Sequence, residues 1–251
     1  MPKKISIHSF RGGTGKSNST ANIATILAQQ GMRVGVIDTD ISSPGIHVLF
    51  GVNEDDMQYS LNDYLWGKCD IAQTAMDVTK RLDVPIKGQM YLIPSSIKAG
   101  EITRVLKEGY DVGLLHEGFG DLMDELKLDV LMVDTHPGLN EETLLSIALS
   151  DALAIILRPD AQDYQGTSVT VEVARKLDVP LLVLIVNKVP PSLSTSELKT
   201  RVEQTYNCEV AGVIPHSDEM MTLASSGIFV LKYPQHPVTN TYRQIAARLT
   251  A

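Results

Sequence analysis

Apolar residues along the first forty positions change their period twice. Ile5 and Ile7 alternate with Ser6 and His8, the period-two signature of a strand. Beyond Ser9–Asn18, Ile23, Ile26 and Leu27 recur at helical spacing, and Val34–Ile37 then forms a short apolar run that stops at Asp38. The same exchange continues through most of the chain. Met90–Ile93 stops at Pro94, Val130–Val133 at Asp134, Leu153–Leu157 ahead of Pro159, Leu181–Val186 at Asn187 and Val210–Ile214 at Pro215. Each run is followed by loop residues and a helix-compatible stretch. Strands alternating with helices predict an α/β fold, a doubly wound and mostly parallel sheet flanked by helices. Unbroken apolar runs suit strands covered on both faces.

Helix starts are marked by side chains that satisfy free backbone N–H groups. Asn140 precedes Glu141 and Glu142, and Ser194 with Glu197 fits a capping box. A last helix is predicted over Thr239–Thr250, with Tyr242, Ile245 and Leu249 on one face. Residues 51–89 are less regular; short helices are expected around Ser60–Trp66 and Asp70–Met76. No repeat or low-complexity linker divides the chain, so one domain is expected over residues 1–251.

Composition narrows the function classes. With 43% hydrophobic residues the chain has the make-up of an ordinary globular protein. A formal net charge of −8 argues against a uniformly basic nucleic-acid binder and leaves room for a local basic patch. The two cysteines, Cys69 and Cys208, are far apart and lack metal-ligand spacing, so free buried thiols and a cytoplasmic setting are expected. No signal-peptide pattern is visible, and the longest apolar run, Leu181–Val186, is too short to span a bilayer. The histidines form no HxH or HExxH pair, so a surface or structural role is expected for each.

The polar residues that close the strands carry the chemistry. Ser9-Phe10-Arg11-Gly12-Gly13-Thr14-Gly15-Lys16-Ser17-Asn18 lies between a strand and a helix. Glycines there let backbone N–H groups approach phosphate oxygens, and the helix N-terminus adds partial positive charge. Lys16 can reach the outer phosphates and the Ser17 hydroxyl can ligate Mg²⁺. Asp134 closes an apolar strand as a metal-organising aspartate would. Asp38 and Asp40 close another, where one of them could orient an attacking water; Asp38 is favoured. In open α/β sheets ligands sit beyond the carboxyl ends of the strands, where all of these residues fall.

The loop resembles the deviant Walker A of the ParA/MinD family of positioning ATPases, a group of P-loop NTPases. The resemblance continues through Val36-Ile37-Asp38-Thr39-Asp40, Ser60–Leu65, Met90–Ser95, Val133–Leu139 and Gly212–Pro215, and so covers nearly the whole chain. It implies that Gly12, Gly13, Thr14, Gly15, Lys16, Ser17 and Asn18 hold the phosphates of ATP. Ser17, with Asp134 behind it, would hold Mg²⁺, and Asp38 would take the water-activating place beside the metal. Asn187 and the backbone around Pro215 would bracket adenine. It further implies a homodimer closed by ATP, a surface that this dimer grips, and an adaptor protein that stimulates hydrolysis. Phe10 stands where the general phosphate-loop pattern has its first glycine, which the resembling ParA branch often lacks as well. Arg11 replaces the signature lysine that crosses the dimer; it keeps the charge and adds a bidentate fork.

Membrane attachment is disfavoured, because the given sequence stops at Thr250-Ala251 after a helix whose apolar face is expected in the core. Nonspecific DNA, and hence nucleoid association, is the leading expectation, with Arg175, Lys176, Lys199, Arg201, Lys232, Arg243 and Arg248 as candidate contacts. The loop is similar to that of the carboxysome-distribution branch; plasmid or chromosome partition stays open. The alternatives are a metabolic or metallocluster-carrier ATPase of the same superfamily, and a nucleotide-gated scaffold without significant hydrolysis.

Overall fold

In the computed structural model, which describes residues 1–251, every predicted apolar run is a strand. These are β1 (Lys3–His8), β2 (Arg33–Asp38), β4 (Gln89–Ile93), β5 (Val130–Asp134), β6 (Ala152–Leu157), β7 (Leu181–Val189) and β8 (Glu209–Pro215). A two-residue strand, β3 (Met76–Asp77), joins them. The eight form one sheet in the order β3-β4-β2-β5-β1-β6-β7-β8. All neighbours are parallel except β3, which pairs antiparallel with β4 at the edge.

Helices cover both faces. They are α1 (Lys16–Gln29), α2 (Leu61–Leu65), α3 (Ala99–Glu108), α4 (Gly113–Glu125), α5 (Glu141–Ala148), α6 (Ala161–Lys176), α7 (Thr195–Tyr206), α8 (Asp218–Leu223), α9 (Phe229–Lys232) and α10 (Pro237–Thr250). Ile5 and Ile7 face α1 and α10 in the largest apolar cluster, which includes Ile23, Ile26 and Leu27. Tyr242, Ile245 and Leu249 of α10 are fully buried in it. That face is therefore core, and α10 begins two residues earlier than predicted, at Pro237, whose fixed φ suits a first turn.

The opposite face of β1 is polar. The Ser6 hydroxyl donates to the Ser146 carbonyl of α5 at 3.2 Å, and the Ser150 hydroxyl reaches both Ser6 Oγ and that carbonyl at 2.6 Å. His8, next along this face, shares a 2.8 Å hydrogen bond with Thr135 Oγ1. A seam of hydroxyls thus runs beneath α5, with Ile147 as its buried apolar anchor.

Caps behave largely as the sequence implies. Asn140 accepts from the Thr143 N–H at 2.8 Å, and Ser194 accepts from the Glu197 N–H at 3.4 Å, the one half of the expected box that forms. Ser60 and Trp66 flank α2 as expected. The helix expected over Asp70–Met76 is instead a 3₁₀ turn, Ile71–Thr74, after which Met76 pairs with Leu92. Four residues of period-three pattern cannot be told from a helix by spacing alone, and pairing with β4 decides the outcome. Cys69 and Cys208 are free, as expected, but half-buried rather than buried. No helix is long and apolar enough to cross a membrane.

Candidate functional site at the strand ends

The glycine-rich segment leaves β1 and enters α1 through two left-handed positions, Gly13 (φ 77°) and Gly15 (φ 96°). Gly12 and Gly13 are exposed, whereas Thr14 and Lys16 are buried. Gly15 must be glycine for a second reason. A Cβ there would overlap the Asn187 carboxamide nitrogen. That nitrogen donates to the Thr14 carbonyl at 2.7 Å, and its oxygen accepts the Lys188 N–H at 2.8 Å. Asn187 is thus a buried brace for the loop. It lies inside β7, which runs three residues beyond the predicted Val186. Lys188 has a left-handed backbone (φ 55°), and its ammonium donates to the Gly13 carbonyl at 2.8 Å. The β7–β8 register shifts between Val186 and Val189, which breaks strand alternation and lets neighbouring residues both reach the loop.

Behind the loop lies a buried charge cluster. Lys16 Nζ donates to Asp134 Oδ1 at 3.0 Å, and Thr20 Oγ1 donates to the same oxygen at 3.1 Å. Asp38 and Asp134 are register partners on adjacent strands. Burial, and then the nearby Asp134, push the Asp38 carboxyl up to about 8, against a partial offset from Lys16. Asp38 still has partners: Oδ1 accepts the Asp40 N–H at 3.0 Å, and Oδ2 accepts the Gly45 N–H at 3.2 Å. Asp40 turns away to His136 Nδ1, at 2.7 Å. This hydrogen bond to Asp40 raises the His136 pKa. His8 is driven the other way, to about 3, first by burial and then by Lys16 and His136.

The raised Asp38 value has a measurable sign. The folded protein holds a proton that the unfolded chain releases near 3.8, so stability falls as pH rises from about 4 towards 8. Asp38→Asn cannot lose that proton. Urea unfolding in chelator, without nucleotide, is expected to show the variant gaining on wild type between pH 5 and pH 8; a pH-independent difference would contradict the assignment.

The structure gathers Gly12, Gly13, Thr14, Gly15, Lys16, Ser17, Asn18, Asp38, Asp134 and Asn187 at the carboxyl ends of β1, β2, β5 and β7. Pro215 closes β8 beside Val189. Arg11 points elsewhere: its guanidinium lies 3.5 Å from Asp163 and 3.7 Å from Asp160, both at the start of α6 in the same chain. Three contributors were missed in the sequence. Lys188 could have been suspected from its place after Asn187, whereas His8 and His136 had no signal beyond their positions at strand ends.

The DNA candidates scatter over α6, α7, α9 and α10. Arg248 pairs with Glu209 at 2.8 Å, and Lys199 lies 3.9 Å from Glu203. Arg175 donates to the Tyr206 and Asn207 carbonyls, and Arg243 to Asn240 Oδ1 and the Pro234 carbonyl.

The donor set suits a nucleotide with its metal. The loop presents exposed glycine positions and a buried ammonium, and the paired strand-end carboxylates are short of positive charge. No three His, Cys, Asp or Glu side chains converge as a self-sufficient metal cage, so a cation here would need phosphate, hydroxyl or water oxygens as well.

The family model for the CobQ/CobB/MinD/ParA nucleotide binding domain matches residues 5–230. The chain belongs to that family. As a CobQ/CobB/MinD/ParA nucleotide-binding domain, it is 28% identical over 251 residues to an uncharacterized ATP-binding protein of Methanocaldococcus jannaschii, covering 99% of this chain and 88% of the relative. It is 26% identical over 256 residues to the septum site-determining protein MinD of Bacillus subtilis, covering 99% and 89% respectively. The fold matches that of Pyrococcus horikoshii MinD complexed with Mg-ADP. That match has a TM-score of 0.78 at 20% identity and covers 100% of this chain and 99% of the other.

Proposed function

We propose that this protein is a Mg²⁺-dependent ATPase that closes into a homodimer on ATP and opens on hydrolysis under the influence of an adaptor protein. The observation that carries this reading is the buried Lys16 ammonium, held on Asp134 directly behind the exposed glycines at the N-terminus of α1.

The N–H groups of Gly12 to Lys16 would donate to phosphate oxygens, and Lys16 would exchange Asp134 for the outer phosphates. Ser17, with Asp134 behind it, would hold Mg²⁺, whose positive charge would offset that of the phosphates. Asp134 and Asp38 would orient water around that cation, and Asp38 would align the attacking water with the terminal phosphate. Asn187, by fixing the Thr14 carbonyl and the Lys188 N–H, would set one wall of the base pocket. The backbone near Pro215 would set the other.

Arg11 would reach the partner's nucleotide after leaving Asp163 and Asp160. For the surface gripped by the dimer, DNA stays the expectation, and with it positioning of a cargo such as a carboxysome, plasmid or chromosome. Lys176, Arg201 and Lys232 are the candidates whose side chains have neither an ion pair nor a hydrogen bond. Membrane adhesion through α10 is disfavoured by its buried apolar face.

Asp38→Ala is expected to keep ATP affinity within about threefold, lower turnover at least ~100-fold and accumulate the dimer. Steady-state phosphate release combined with light scattering tests this. An Asp38→Ala protein that turns over normally, or stays monomeric in ATP while wild type dimerises, would refute the assignment.

A further inference from the structure

Phe10 is a large apolar residue at the entrance of the phosphate loop, and it is 37% exposed. Its ring is not loose. It lies on Gly166, in the second turn of α6. A Cβ built on Gly166 would overlap the Phe10 ring and come within 2.8 Å of its Cβ. Gly166 has no positive φ, so backbone conformation does not require glycine there. Glycine inside a helix is disfavoured relative to alanine. Space for the ring is the remaining demand, and only an absent side chain meets it.

Neighbouring contacts point the same way. Asp163, one turn earlier on the buried stripe of α6, receives Arg11. The Gly138 N–H donates to the Ser9 carbonyl at 3.1 Å, and Gly138 also lies close under the Phe10 carbonyl. The short segment Ser9–Arg11 therefore touches α6 on one side and the loop after β5 on the other.

We propose that Phe10 is a positioning residue whose ring, keyed into the notch at Gly166, sets the register of the phosphate loop against α6. The ring acts through the backbone: it fixes the loop entrance, and Gly12–Gly15 inherit their orientation from it. The inference rests on the nucleotide reading above and adds to it a residue pair outside the glycine-lysine motif.

A double-mutant cycle with Phe10→Ala, Gly166→Ala and the double variant tests it, read as Mg·ATP affinity by calorimetry. Each single variant is expected to bind about tenfold more weakly, a loss of about 1.4 kcal/mol. The double variant is expected to bind no worse than Phe10→Ala, because the vacated ring site accepts the new methyl. Phe10→Tyr, which keeps the ring, is expected to stay within about twofold of wild type. Urea unfolding of the same proteins without nucleotide reports packing alone.

Losses in affinity that simply multiply would overturn the proposal, as would wild-type affinity in Phe10→Ala. So would coupling seen in unfolding but not in binding. Wild-type protein that binds no Mg·ATP would instead refute the nucleotide reading itself, so the two failures are told apart.

Discussion

Lys16→Ala is expected to lose nucleotide affinity by on the order of 100-fold or more, and to destabilise the empty protein as well. The two losses have different causes. Nucleotide loses its only buried ammonium. The fold loses the cation that faces Asp134 at 3.0 Å and partly offsets the charge on Asp38. Removing one partner of a buried pair costs about 3–5 kcal/mol, because the other is left unpaired. Thr20 still donates to Asp134, and Asp38 can take up a proton, so the low end of that range is expected at pH 6 and the high end at pH 8. Adding Asp134→Asn to Lys16→Ala is expected to restore most of the stability and none of the binding. Urea unfolding and calorimetric titration with Mg·ATP separate the effects. Unchanged ATP affinity in Lys16→Ala would remove the basis for the phosphate-loop assignment.

Gly15→Ala ranks second, and it acts through shape. At φ 96° an L-residue is strained by about 1–2 kcal/mol before any contact is counted. The methyl then meets the Asn187 carboxamide, which must leave the Thr14 carbonyl to make room. The brace under the loop is lost, and nucleotide affinity is expected to fall ~10–100-fold, equivalent to about 1.4–2.8 kcal/mol. Gly31→Ala is the matched control. Its φ is 107° and its Cβ would meet nothing within 4 Å, so it should carry backbone strain alone and leave affinity unchanged. Equal affinities for Gly15→Ala and Gly31→Ala would show that the Asn187 brace plays no part in holding phosphate.

Much of this architecture is legible in the amino-acid sequence. The parallel strands announced themselves because burial on both faces demands unbroken apolar runs, as in Val130–Val133 and Leu153–Leu157. The glycine-rich loop and Asp134 are equally plain, the one directly after the alternating strand Ile5–His8 and the other at the end of Val130–Val133. The region from 51 to 89 is not. There, 3₁₀ turns and a two-residue edge strand arise from packing against β4, and neither leaves a period long enough to read. Asn187 was located in sequence, but its role as a brace depends on β7 approaching the loop across the sheet. Lys188 was hidden by its left-handed backbone, which sends it to a side that strand alternation would not predict. Charges misled more than apolar residues did. Arg11 reads as a free cation in sequence, yet Asp163 lies 152 positions away along the chain and beside it in space. His136 reads as an isolated histidine, yet Asp40 supplies its partner from β2's loop.

The hydroxyl seam under α5 has a mechanical consequence. Grease holds α1 in place, and moving it would wet a continuous oily surface. By contrast, α5 meets β1 through the Ser6 and Ser150 hydroxyls and the Ser146 carbonyl as well as through Ile147, so its seat is set by directional hydrogen bonds and not by apolar contact alone. The floor beneath the strand-end site is accordingly built from unequal halves. One half is apolar, under α1; the other is lined by hydroxyls, under α5.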